Sequence, residues 1–145
     1  MEYVNRPNLF IIGAMKSGTT TLHSYLQRHP EIFMCEPKEP FFFVEEKNWK
    51  LGEKWYLNLF SDADNQSVIG ESTTDYTKKP IYQGVPERIF EFNPNACFIY
   101  IMRDPVKRTI SHYWHNVRWH SEHRDILKAI QQDHGYLRSE EHTSE

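Results

Sequence analysis

Residues 7–21 read Pro7-Asn8-Leu9-Phe10-Ile11-Ile12-Gly13-Ala14-Met15-Lys16-Ser17-Gly18-Thr19-Thr20-Thr21. Asn8 to Ile12 is a short apolar run that enters a glycine, the pattern of a buried strand. From Thr20 to His29 the apolar positions Leu22, Tyr25 and Leu26 take helical spacing, and the segment stops before Pro30. A glycine-bearing loop that opens a helix presents backbone N–H groups and the positive end of the helix dipole to an anion. Lys16 adds a point charge, and Thr19 and Thr20 add hydroxyl donors. The loop is not that of a nucleoside-triphosphate site, which needs Gly-x-x-x-x-Gly-Lys-Ser/Thr with the hydroxyl on Mg²⁺. Gly13 and Gly18 have that separation, but Thr19 stands in the lysine's place and the lysine comes earlier, at 16. A metal-dependent kinase or ATPase is disfavoured, since the later apolar strand ends on Met102-Arg103 rather than on a carboxylate.

Outward from this loop, strand and helix patterns alternate. Glu53 to Phe60 carries an amphipathic face of Trp55, Tyr56, Leu59 and Phe60. Ser67 to Glu71 reads as a short strand, and Val85 to Phe90 as a helix with proline in its first turn. Ala96 to Met102 is the clearest buried strand. A helix is expected from Asp104-Pro105 to about Arg118, and another from about Glu122 to Gln132. Phe41-Phe42-Phe43-Val44 is a further apolar run with no assigned element. The alternation, with continuous apolar strands, predicts an α/β fold: a parallel sheet flanked by helices. Ligands of such folds bind at the carboxyl ends of the strands, so chemistry is expected after Ile12 and after Met102.

Composition narrows the function. The 145 residues are 39% hydrophobic and 26% charged with a net charge of −3, which suits one globular domain and argues against a generic nucleic-acid binder. Any anion site must therefore be local. Two cysteines, Cys35 and Cys97, are too few for a disulfide framework or a cysteine-rich zinc site; two buried thiols is the simpler expectation. No apolar stretch approaches the ~20 residues of a membrane span, and Met1 to Arg6 lacks signal-peptide organisation, so a cytoplasmic protein is expected. His112, His115, His120 and His123 do not have zinc-site spacing and are expected on the solvent face of a helix.

The string Pro-x-Phe-x-Ile-x-Gly leading into Lys16-Ser17-Gly18-Thr19-Thr20 resembles the 5′-phosphosulfate loop of sulfotransferases that use 3′-phosphoadenosine 5′-phosphosulfate (PAPS). In that family the second strand end carries an arginine and, eight residues on, a serine that grip the 3′-phosphate. Arg103 and Ser111 have that spacing. The resemblance covers about residues 8–118 and implies a nucleotide-kinase-like (P-loop) fold, a PAPS donor without a metal, and cofactor contacts from Lys16, Ser17, Gly18, Thr19, Thr20, Arg103 and Ser111. Glu36-Pro37-Lys38-Glu39-Pro40-Phe41-Phe42 is similar to the Glu-x-x-Phe-Phe segment of glycan-type and many bacterial members, which implies Glu39 as catalytic base and Lys16 as the cation for the leaving oxygen. The phenol and steroid enzymes of the family use a histidine base instead; His29 or a later histidine would have to approach in space. The implied acceptor is a hydroxyl- or amine-bearing glycan or small molecule.

Glycan-type members carry Glu-Lys-Thr-Pro-x-Tyr at their third strand end, whereas this chain has Glu71-Ser72-Thr73-Thr74-Asp75-Tyr76. Ser72 in the lysine's place leaves a second active-site cation open, with Lys78 and Lys79 expected to be surface residues. The polar string Arg138 to Glu145 resembles a translated sequencing adapter, so residues 1–137 are taken as the N-terminal part of one domain and 138–145 as a non-native tail. The family's last cofactor loop and the acceptor wall would lie beyond 137, so the 145-residue chain alone is expected to be inactive. The alternatives are a P-loop nucleotide kinase and a non-catalytic phosphate-binding module.

Overall fold

The computed structural model describes residues 5–79 and 81–133; the tail assigned to 138–145 lies outside them. Among these residues the order is β1 (Leu9–Gly13), α1 (Thr19–Leu26), β2 (Ile32–Met34), α2 (Gly52–Asn58), β3 (Val68–Ser72), α3 (Val85–Phe92), β4 (Cys97–Tyr100), α4 (Pro105–Arg118) and α5 (Ile126–Gln132). The strands form a parallel sheet in the order β2-β3-β1-β4. The expected α/β architecture is present. Phe10 pairs in register with Glu71 on one side and Phe98 on the other, and the β1–β4 register slips between Ile11 and Gly13, just where the strand enters the loop.

Side chains that alternate along β1 feed two cores. Phe10 packs on one face with Phe42, Phe43, Tyr56, Phe60, Ile89 and Phe92, while Leu9 and Ile11 face Met34, Leu22 and Leu26 beneath α1. The Phe41–Val44 run forms a turn rather than a strand, and it buries Phe42, Phe43 and Val44 completely. Phe42 stacks on Tyr56 with ring centroids 4.2 Å apart. Within the same core Glu71 accepts hydrogen bonds from the hydroxyls of Tyr56 (2.5 Å), Tyr76 (2.8 Å) and Thr73 (2.6 Å). Complete burial pushes the Glu71 carboxyl up to about 7, even though these donors favour its charged form.

Several expectations are corrected. β2 is not legible in the sequence, because three residues after Pro30 are too few to show a period. Ala96 to Met102 reads as a buried strand, yet among the described residues β4 pairs with β1 alone, and Phe98 is 52% and Met102 83% exposed. Both cysteines are free thiols; Cys35 is buried and Cys97 is exposed on that edge. The last helix begins at Ile126 rather than near 122, capped by Asp125, whose side chain accepts from the Lys128 N–H. Glu122 instead turns back to bind the backbone and guanidinium of Arg124. Lys78 is buried on Asp75 at 2.5 Å and is not a surface lysine, whereas Lys79 is exposed.

Candidate active site

Three chain segments converge at the carboxyl ends of β1, β3 and β4. The first is the loop from Gly13 into α1. Gly18 precedes the helix at φ +96°, a left-handed conformation that glycine adopts at no steric cost, and a Cβ there would meet nothing within 4 Å. Lys16 lies in the left-handed region at φ +60° without that freedom, a constraint seen at functional loops. The second segment follows β4. Asp104 caps α4 by accepting from the Lys107 N–H at 2.9 Å, with Pro105 in the first turn, so the helix starts immediately after Arg103. Arg103 then donates from Nη1 to the Lys16 carbonyl at 3.1 Å, which joins the two strand ends.

The third segment carries Glu39. Its N–H donates to the Ser72 carbonyl at 2.9 Å, and its φ of +63° aims the side chain back over the turn that follows β3. There Glu39 Oε2 accepts from the Thr74 N–H (3.2 Å), and Oε1 accepts from Lys38 Nζ (2.8 Å) and Thr74 Oγ1 (3.4 Å).

A cavity of about 370 Å³ lies between these segments. Lys16, Gly18, Thr19, Thr20, Glu39, Arg103 and Ser111 all line it. Of the residues expected to bind the donor or act in transfer, only Ser17 does not line it. It is buried, its Oγ has no hydrogen-bond partner among the described residues, and it lines a smaller depression of about 260 Å³ shared with Arg103 and Arg108. Burial holds the Arg108 guanidinium below its ordinary range, with Tyr100 opposing the shift.

Lys38, Thr74 and His115, which are not among the expected site residues, also line the cavity. His115 was legible, because it follows Ser111 by one helical turn and so shares its face; its Nδ1 lies 3.3 Å from Lys16 Nζ. The expectation of solvent-facing histidines fails at two positions. His112 is buried in α4 and His115 is half-buried, while His120 and His123 are exposed. His29 does not line the cavity. Ser72 faces away from it and its Oγ lies 2.7 Å from Nδ1 of the buried His23, whose pKa is lowered chiefly by burial and then by the charge of Lys38. Among the described residues no cluster of three or more His, Cys, Asp or Glu is arranged to hold a metal ion, and no helix is long and apolar enough to cross a membrane.

A cavity lined by a helix N-terminus, hydroxyls and three cations suits a multiply charged anion, and a carboxylate beside them adds a proton acceptor. Residues 6–140 match the model of the sulfotransferase domain. The chain is 39% identical over 116 residues to the membrane-associated sulfotransferase kil1 of Dictyostelium discoideum, covering 78% of this chain and 24% of that protein. It is 33% identical over 107 residues to heparan sulfate glucosamine 3-O-sulfotransferase 5 of Mus musculus, covering 74% and 30%. A solved sulfotransferase from Alicyclobacillus acidocaldarius superposes with a TM-score of 0.77 at 30% identity, covering 92% of this chain and 59% of that one. The chain thus spans about a quarter to a third of the length of these curated relatives. A matched domain model, relatives with sequence similarity and a shared fold agree: the chain belongs to the sulfotransferase family.

Proposed function

We propose that the protein transfers a sulfuryl group from PAPS to a hydroxyl or amine of an acceptor, with Glu39 as base. A glycan is the acceptor class to which the heparan sulfate relative points. The observation that carries this is the single cavity lined by Lys16, Gly18, Thr19, Thr20, Arg103, Ser111 and Glu39. The residues fit such a donor. The open space at Gly18 admits a phosphate to the N-terminus of α1.

Thr19, Thr20 and the N–H groups that open α1 would hold the 5′ side of the nucleotide, and Arg103 with Ser111 the 3′-phosphate. When bound, PAPS supplies a sulfuryl group whose bond to the phosphate oxygen breaks as the acceptor oxygen bonds to sulfur. Lys16 neutralises negative charge at the leaving side of the cavity. Glu39 takes the acceptor's proton, and its two-sided anchoring to Thr74 and Lys38 keeps it aimed into the cavity. Positioning and electrostatics, rather than covalent chemistry, carry the rate.

The test is sulfuryl transfer by the full-length protein. Glu39→Gln is expected to lower turnover by about 100-fold or more while the affinity for the desulfonated product, PAP, stays within about twofold. Activity is expected to persist in EDTA. Full turnover in Glu39→Gln, or a strict Mg²⁺ requirement, would overturn the proposal, the latter in favour of a nucleotide kinase.

A further inference from the structure

Among the described residues, Lys38 is the one cation of the cavity that touches the Glu39 carboxylate. Arg103 and Lys16 belong to the opposite wall, where the guanidinium donates to the Lys16 backbone and the Lys16 ammonium lies beside His115. Position 72, where glycan-type members carry lysine, holds a buried serine turned toward His23. Lys78 is committed to buried Asp75. Lys38 therefore supplies positive charge on the Glu39 side from a different place in the chain, at a side-chain exposure of 21% beside 23% for Glu39.

The oxygens of Glu39 are unequally used. A carboxylate offers about four lone-pair sites, two on each oxygen. Lys38 Nζ and Thr74 Oγ1 occupy both on Oε1, whereas the Thr74 N–H occupies one on Oε2. One site remains, on Oε2. We propose that Lys38 is a positioning residue which, with Thr74, saturates Oε1 of Glu39 and leaves Oε2 as the atom that takes the acceptor's proton. Lys38 so acts through Glu39 and not on the donor. The inference rests on Glu39 being the base.

A double-mutant cycle in the full-length protein tests it, using Lys38→Met, Lys38→Arg, Glu39→Gln and Lys38→Met with Glu39→Gln. Lys38→Met is expected to lower kcat by about 10- to 100-fold, as misplacing a reacting group does. The KM for PAPS and the Kd for PAP are expected to change less than about threefold, since neither depends on the aim of Glu39. Lys38→Arg restores most of the rate, whereas methionine, which keeps the length and loses the charge, does not. In the Glu39→Gln background, adding Lys38→Met costs less than about twofold. Three results would overturn the inference: wild-type kcat in Lys38→Met, an equal loss from Lys38→Met in both backgrounds, or a loss that falls on PAPS affinity instead of kcat. Urea midpoints verify folding, and Lys38→Gln replaces Lys38→Met if the latter unfolds. Wild-type turnover in Glu39→Gln is a separate outcome that refutes the base assignment itself, and this inference with it.

Discussion

Replacing Glu71 by glutamine is expected to remove a specific pH dependence of stability. The carboxyl is completely buried, and its pKa rises from an ordinary 4.5 to about 7. Between these values the unfolded chain has released a proton that the folded chain retains, so ΔG of unfolding falls as pH rises. The slope is about 1.4 kcal/mol per pH unit, and the loss accumulates to roughly 3 kcal/mol by pH 7. The stabilisation is complete below about pH 4.5 and is lost as pH passes through about 7. Glutamine keeps an oxygen for Tyr56 and Tyr76, turns its amide toward Thr73 and carries no titrating proton. Urea denaturation from pH 4.5 to 8 should show the wild type weakening relative to Glu71→Gln by roughly that amount. The difference between the two proteins is the quantity to follow, because buried His23, whose pKa is lowered, contributes a slope of opposite sign that both share. Parallel stability curves for the two proteins would refute the buried, proton-holding carboxyl.

Two further outcomes concern the scaffold. Phe42→Ala removes a fully buried ring stacked on Tyr56 and should cost about 3–5 kcal/mol in a urea titration, with a smaller loss indicating that the site collapses. Asp104→Ala removes the cap of α4 and should cost about 1 kcal/mol, while Asp104→Asn, which retains an acceptor for the Lys107 N–H, should cost less.

Much of this organisation is legible in the sequence because it is local. The apolar run into Gly13, the glycine and threonines opening a helix, and Asp104-Pro105 starting another are signals read within a few residues. The wall that carries Glu39 is not local. Its geometry depends on a left-handed Glu39, a backbone bond to Ser72 and side-chain bonds to Thr74, which is 35 residues away. No period or composition records such pairings. The exposure of β4 is not legible, because an apolar run does not record how many strands flank it. The Phe41–Val44 run was equally opaque, since full burial in a turn follows from the aromatic cluster that surrounds it. Lys38 stood next to the proposed base in the sequence, yet only the turn after β3 shows that both side chains face one cavity.

In the proposed function, the loop after β1 and the start of α4 hold one nucleotide bearing two phosphate-type groups. Titration calorimetry of the full-length protein with PAP and with 5′-AMP separates the two phosphate sites. Charge-assisted hydrogen bonds to the 3′-phosphate contribute about 1.5–3 kcal/mol, so PAP should bind at least about tenfold more tightly than 5′-AMP. Arg103→Ala should erase most of that preference and leave 5′-AMP affinity largely unchanged. Equal affinities of the wild-type protein for PAP and 5′-AMP would contradict the claim.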